Sequence, residues 1–239
     1  MASHSNLDFY LSPPHPCGYL PGQTATNLFA NPKVAMDITR YSALARLGFR
    51  RSGRLVYRPH CPRCSACLAV RIPVDQFQPN RSQQRAWKIN QDLSAICCPV
   101  EFRAEHFDLF YRYLKGRHAK GGMDNSTPED YLSFIASGWS ETSLIEFRDA
   151  KNNKLLAVAV TDTLTDGISA VYSFFDPTLK RRSLGVYIIL WEINEAKRLN
   201  LPYVYLGYWI KACQKMQYKS AFRPLEVYQS KKWSIFEET

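Results

Sequence analysis

Cys61, Cys64 and Cys67 stand at two-residue gaps in RPHCPRCSACLAV, residues 58–70, behind a basic, proline-broken lead-in. Thiolates at that spacing are soft metal ligands, and a closed zinc site or an all-cysteine iron–sulfur cluster takes four donors. Three leave such a site one short. A thiol can also be a nucleophile or a redox centre, but no histidine is placed by spacing as its base, although His60 adjoins Cys61. The plain alternative is three reduced cysteines in a tight turn. From these residues alone, metal site and turn both stay open.

The elements that must carry them belong to a globular chain. Of 239 residues, 46% are hydrophobic and 13% aromatic, which excludes a disordered polypeptide. The longest apolar runs, LLAVAV and VYIILW, fall far short of the roughly 20 residues a membrane span needs. The N-terminus has no basic stretch followed by an apolar one. These features predict a soluble cytoplasmic protein whose seven cysteines are reduced or metal-bound rather than disulfide-paired. A net charge of +10 predicts attraction to polyanions, nucleic acid first among them.

The first 33 residues, rich in Pro, Gly, Asn and Ser, read as an extended arm. DITRYSALARLGF places Ile38, Tyr41, Leu44 and Ala45 at helical spacing, with Gly48 as its stop. RLVYRP and LAVRIPV flank the cysteines as short strands. NRSQQRAWKINQDL predicts a helix with Arg81, Arg85 and Lys88 on one face, a pattern that suits phosphates or plain solvation. EHFDLFYRYLKGRH predicts a helix with an aromatic core stripe. After it comes a loop at Gly121–Gly122, then a helix start with Thr127 as cap and Pro128 in the first turn. From residue 142 the period changes. TSLIEFRD, KLLAVAVTDTLT and GISAVYSFFD read as strands, the last two joined by a hairpin at Asp166–Gly167. SLGVYIILWEINEAKRLN is a long amphipathic helix, and PYVYLGY a further strand.

Three antiparallel strands, a glycine-containing turn, a helix and another strand make an α/β (α+β) pattern. It is the order of the GNAT acyltransferase fold. There a turn of the form Arg/Gln-x-x-Gly-x-Gly/Ala offers backbone N–H groups at the helix start to an anion. Here RRSLGVY supplies Arg182, Gly185 and then Tyr187, where the small residue should be. Tyr187 argues against coenzyme A, whereas Arg181 and Arg182 keep an anion in play. An RNA phosphate, with Tyr187 stacked on a base, would suit these residues.

Taken together, CGYLPG (17–22), RRSGRLVYRP (50–59), AVAVTDTLTDGISAVYSFFDP (157–177), SLGVYIILWEI (183–193) and VYLGYWIKACQKMQYKSAFRP (204–224) resemble the aminoacyl-tRNA–protein transferases. The chain length and the CPRCSAC form look like the bacterial leucyl-transferring branch rather than the longer arginyl-transferring one. The resemblance implies an N-terminal cysteine-bearing region, residues 1–100, packed on a C-terminal GNAT-like domain, residues 101–239. It also implies an activity: transfer of leucine from Leu-tRNA to the α-amine of proteins beginning with Asp or Glu, which marks them for degradation. An arginyl donor and a non-enzymatic, metal-dependent RNA-binding protein are the alternatives. The resemblance adds Cys17 as fourth partner to Cys61, Cys64 and Cys67, for zinc or an iron–sulfur cluster.

The chemistry agrees with what the chain lacks. An aminoacyl ester is already activated, so no enzyme nucleophile or cofactor is required; G-x-S-x-G is absent and no histidine follows His118. An α-amine with a pKa of about 7.7–8.0 needs only modest help to lose its proton. Asp176, at a strand end before the anion turn, is the candidate base, and Tyr208 the candidate proton donor to the leaving hydroxyl. The acceptor's carboxylate asks for cations, and Arg50, Arg51, Lys215, Lys219 and Arg223, interleaved with Tyr218, are the candidates.

Overall fold

The computed structural model describes residues 7–117 and 126–237; the Gly121–Gly122 loop lies outside them. The arm is extended, as its composition requires, but much of it pairs. It contributes strands β1 (Phe9–Leu11), β2 (His15–Pro16), β3 (Thr24–Ala25) and β4 (Asn27–Ala30). Helix α1 (Ile38–Arg46) follows, capped by the Asp37 carboxylate accepting from the Arg40 N–H at 2.8 Å. Next come β5 (Arg50–Ser52) and β6 (Leu55–Pro59), which join β1 and β4 in a four-stranded sheet of order β1-β4-β6-β5.

The rest of the chain builds an eight-stranded mixed sheet. Its elements are β7 (Leu68–Pro73), α2 (Arg81–Ile89), β8 (Leu93–Cys98), α3 (Ala104–Arg117), α4 (Pro128–Ile135), β9 (Thr142–Asp149), β10 (Leu155–Leu164), β11 (Gly167–Phe175), α5 (Leu184–Arg198), β12 (Tyr203–Trp209), β13 (Glu226–Gln229) and β14 (Lys232–Ile235). The sheet order is β14-β13-β7-β12-β11-β10-β9-β8. Strands β7 and β8 precede residue 100, so a division of the chain there would cut this sheet. The hairpin loop between β10 and β11 is Thr165–Asp166, because Gly167 pairs with Leu164 and, on its other side, with Tyr203.

β10 is an interior strand, third from the β8 edge, and its near-continuous apolar run is what a strand covered on both faces needs. Val158 and Val160 face Phe110, Leu114, Tyr131 and Ile135 of α3 and α4. The alternate Ala157 and Ala159 face Leu184, Tyr187 and Ile188 of α5. Side-chain alternation along one strand thus seats helices on opposite faces. α3 is further fixed by His106, whose Nε2 lies 2.6 Å from Glu146 Oε1 on β9. Burial is opposed here by Arg148 and His106, which together hold the Glu146 carboxyl down at about 2.

The antiparallel meander, the α5 crossover and β12 running parallel to β11 give the GNAT-like order the sequence predicts. β11 and β12 are paired only over Gly167–Ser169 and Tyr203–Tyr205. Beyond that they part, although β11 continues to Phe175 and β12 to Trp209. The parting is the feature that creates room for a site.

One buried ion pair ties the two sheets together. Arg51 of β5 donates from Nε and Nη2 to the Asp162 carboxylate of β10 at 2.5 and 2.8 Å, and both side chains are fully buried. Thr142 donates to the same carboxylate at 2.6 Å. Removing one partner strands the other charge in the core, at a cost of about 3–5 kcal/mol. Asp162→Ala is therefore expected to lower the unfolding free energy measured in urea by that much. Glu195→Ala, which breaks an exposed pair with Arg198, should leave the unfolding midpoint in place.

Candidate functional site

The strand ends and helix start that flank the parted strands enclose a groove of about 390 Å³. Its walls are Tyr113 and Gly116 of α3, Ser173, Phe175 and Asp176 at the end of β11, Leu179 and Lys180 in the turn, Ser183 to Val186 entering α5, and Tyr218. The turn is a short 3-10 helix at Lys180–Arg182. It feeds α5 through Ser183, held in the left-handed region at φ +50° with no side-chain cap. A non-glycine residue there is uncommon, and such conformations gather at functional sites. At the next residue but one, an added Cβ on Gly185 would come within 3.1 Å of the Phe175 ring. Glycine lets the first turn of α5, with its unpaired N–H groups and positive dipole end, sit against the groove.

Asp176 is the only carboxylate among the described residues that line the groove, and it is 4% exposed. It accepts from the Thr178 hydroxyl at 2.6 Å and the Thr178 N–H at 3.0 Å, with Arg112 at 3.6 Å and Lys154 at 4.0 Å behind it. Burial pushes its pKa up, but those hydrogen bonds and cations outweigh it and hold the group below the ordinary carboxylate range. Such a group is ionised at neutral pH and is a poor proton acceptor. It attracts cations.

The other residues singled out from the sequence fall into distinct places. Gly185 lines the groove with Asp176 and Tyr218. Arg181 is exposed at its rim. Arg182 turns away, forming an ion pair with Asp92 while its carbonyl accepts from the Asn90 amide at 2.7 Å. Tyr187 is 4% exposed and packs between Trp87 and Phe147 at centroid distances of 5.3 and 5.6 Å. A side chain so enclosed is not presented to a base. The aromatic fills the α2–α5–β9 junction because Trp87 of α2 supplies the facing ring.

Arg50, Lys219 and Tyr208 surround the parting of β11 and β12. Arg50 donates from Nη2 to the Val171 carbonyl on β11 at 3.0 Å. Lys219 is 7% exposed and donates from Nζ to the β12 carbonyls of Leu206 and Tyr208 at 2.7 and 2.6 Å. Gly207, at φ +73°, leaves the space the guanidinium takes, since a Cβ there would lie 2.7 Å from Arg50 Nη1. The Tyr208 hydroxyl is buried against the carbonyls of Gly48 and Tyr57, at 2.9 and 3.2 Å, and burial raises its pKa well above the usual phenol. The cavity around Arg50 holds only about 20 Å³, enough for a single water. Arg223 donates to the Phe236 carbonyl at 2.5 Å and lies over that ring. Lys215 lies with Tyr218 in the 3-10 segment Gln214–Ala221.

Cys17, Cys61, Cys64 and Cys67 are neighbours. Burial raises the Cys67 thiol to about 12, helped by Cys61, Cys17 and Cys64 in that order. Leu20 donates its N–H to Cys17 Sγ at 3.4 Å. Four thiols are a suitable donor set for a soft ion. Among the described residues, however, no three Cys, His, Asp or Glu side chains are arranged to hold a metal ion, and none of the cysteines lines the groove.

Residues 105–229 match the C-terminal region of the arginine-tRNA-protein transferases, and residues 15–85 match their N-terminal region. The chain belongs to this family. It is 77% identical over 239 residues, the whole of both chains, to the aspartate/glutamate leucyltransferase of Nitrosococcus oceani. It is 48% identical to that of Hahella chejuensis, over 98% of this chain and 99% of the relative, and 47% identical to that of Pseudomonas aeruginosa, over 98% of each. No helix among the described residues is long and apolar enough to cross a membrane.

Sequence reasoning misses most of the groove's wall. Leu179, Lys180, Leu184 and Val186 flank residues it singles out. Tyr113 reads there as part of an ordinary core helix. Lys180 carried a signal, as the first of three consecutive basic residues before α5.

The parted strands make a prediction about pH. Burial, reinforced by Arg50, lowers the Lys219 pKa to about 7, against about 10.4 in an unfolded chain. Between those values the unfolded chain binds the extra proton, so this group makes stability rise with pH, by up to about 1.4 kcal/mol per unit. A neutral amine keeps two N–H donors for the two carbonyls. In urea titrations from pH 7 to 10, Lys219→Met should lose this upward trend relative to the wild-type chain. Parallel trends would mean the lysine is charged in the fold.

Proposed function

We propose that the chain transfers leucine from Leu-tRNA to the α-amine of proteins beginning with Asp or Glu. The relatives' names support the reaction, and the groove's lining supports the donor. Tyr113, Phe175, Leu179, Leu184 and Val186 give an apolar wall suited to a leucyl side chain. An arginyl side chain would need a carboxylate of its own, and the groove's described lining holds one, Asp176, which the acceptor's ammonium needs.

The step joins the acceptor's nitrogen to the ester carbonyl carbon and releases the ribose hydroxyl of the tRNA. One proton leaves the amine and one ends on that hydroxyl, with no redox change and no enzyme nucleophile. Asp176 attracts and orients the acceptor's ammonium, and the nitrogen delivers its proton to water or to the leaving oxygen. Lys180, Arg181 and the start of α5 meet the phosphates of the tRNA's 3′ end, with Gly185 giving close approach. Tyr218, at the rim, contacts the acceptor or the terminal base. Arg50, Lys219 and Tyr208 keep the parted strands in place, and Arg51 and Tyr187 hold the walls. Lys215 and Arg223, on the same segment as Tyr218 or just beyond it, supply positive potential for the acceptor's carboxylate. The cysteine cluster, with zinc or an iron–sulfur cluster bound, would tie the arm to the loop before β7, outside the chemistry. Charged tRNA as substrate puts the protein in the cytoplasm.

The decisive assay uses labelled Leu-tRNA and Arg-tRNA with reporters beginning with Asp, Glu or Lys. Label from Leu-tRNA on Asp and Glu reporters alone is the expected result; label from Arg-tRNA would overturn the donor, and no label the activity. In the same assay, Asp176→Asn should lower kcat/KM for the reporter by about 10²-fold while leaving the KM for Leu-tRNA unchanged. A loss confined to the tRNA KM would remove Asp176 from amine handling.

A further inference from the structure

We infer that the exposed face of α2, with the turn before α5, is the docking surface for the acceptor stem of the tRNA. The inference rests on the proposed reading of the groove and adds where the duplex lies.

α2 is two-sided. Gln83, Ala86 and Asn90 are buried, and Arg81, Gln84, Arg85 and Lys88 are exposed. At 3.6 residues per turn, Arg81, Arg85 and Lys88 fall within an arc of about 60° and span about 10 Å along the axis. That is a single stripe of three cations. The helix has no acidic residue in its first turn, and none of the three cations forms an ion pair among the described residues. Asp92, the carboxylate just beyond the helix, is taken by Arg182.

Both ends of α2 are tied to segments that line the groove. At its start, the Asn80 and Gln83 amides donate to the Ala221 carbonyl at 3.4 and 3.1 Å, three residues beyond Tyr218. At its end, Arg182 reaches the Ile89 carbonyl at 3.4 Å and Asp92, while Asn90 holds the Arg182 carbonyl. Lys180, in the same turn, lines the groove, and Arg181 beside it is exposed. The α2 stripe and the basic residues at the groove's rim are therefore carried on segments bonded directly to one another. A polyanion whose end sits in the groove would continue along this face. Charge complementarity commits the surface to a nucleic-acid backbone, and the aminoacyl ester at the 3′ end commits it to the acceptor stem.

The test is R81A/R85A/K88A, three exposed residues whose truncation spares the buried face. For this variant, the KM for Leu-tRNA should rise at least tenfold at low salt, with kcat and the reporter's KM unchanged. The slope of log affinity against log salt for tRNA, by filter binding, should fall by about 2 to 3, roughly one unit for each phosphate that is no longer neutralised. K197A/K231A/K232A, three exposed lysines outside the path, should match the wild-type chain. The same losses should appear with a leucylated acceptor-stem minihelix. An unchanged tRNA KM and salt slope would overturn the docking surface while leaving the reaction intact, and a penalty seen with whole tRNA but not with the minihelix would overturn the acceptor-stem assignment. If the wild-type chain transfers nothing yet binds tRNA with a stripe-dependent slope, the surface stands and the catalytic reading falls.

Discussion

The site depends on two strands that start as neighbours and then separate. β11 and β12 share three residues of pairing, and past that point their carbonyls face each other across a gap too wide for a ladder. A buried carbonyl needs a donor. Arg50 supplies one to Val171, and Lys219 supplies two to Leu206 and Tyr208. Each long side chain acts as a wedge whose head bonds to backbone, and Gly207 leaves the space between them. The groove follows because the ends of β11 and the start of α5 can no longer close against β12.

That arrangement sets how the chain must be organised. One wedge residue comes from β5 and the other from the segment after β12, so neither end of the sequence makes the site alone. β7 is inserted between β12 and β13, and Arg51 locks the small sheet to an interior strand of the large one through Asp162. The two family regions, residues 15–85 and 105–229, share one sheet. Basic side chains do two kinds of work here. Those indoors, Arg50, Arg51 and Lys219, bond to carbonyls or to one carboxylate and hold the frame. Those outdoors, among them Lys180, Arg181 and the α2 stripe, are exposed and are the charges the proposed reading assigns to RNA phosphates. A net charge of +10 does not reveal that division, because burial decides it.

The strands and helices from residue 142 onward are legible in the sequence because their periods are strong: β9, β10, β11, α5 and β12 fall within a residue or two of where the pattern places them. Asp176 and Gly185 stand out in the sequence because they sit at junctions, where a strand ends or a helix begins, and Tyr218 because it is interleaved with basic residues; all three line the groove. The roles of Arg50, Arg51 and Lys219 are not. A basic residue beside aromatic ones looks the same in one dimension whether it meets solvent or plugs a parted sheet. Tyr187 illustrates the converse. Its position in the anion turn draws attention, but Trp87, far earlier in the chain, determines that it packs inward. The Thr165–Asp166 loop is offset by one residue from Asp166–Gly167 because Gly167 also serves β12, a partner no local rule can see.

The chemistry asks little of the protein, and the site reflects that economy. An ester on tRNA stores the free energy of the new amide, and a free α-amine is nucleophilic once one proton is lost. At neutral pH a modest fraction of such amines is already neutral, given a pKa of about 7.7–8.0. A strong base is therefore unnecessary, and the low-pKa carboxylate of Asp176 would make a poor one. What a permanently ionised carboxylate can do is gather the ammonium form beside the ester and fix where its nitrogen stands when the proton departs. Positioning of that kind reaches large effective concentrations without a covalent intermediate. In the proposed reaction the apolar wall beside it would serve the same end, orienting a leucyl group by shape and excluding water, the competing nucleophile that would waste the ester. On this reading, the groove needs one negative charge for the amine, positive charge at its rim for the phosphates, and a dry wall between them.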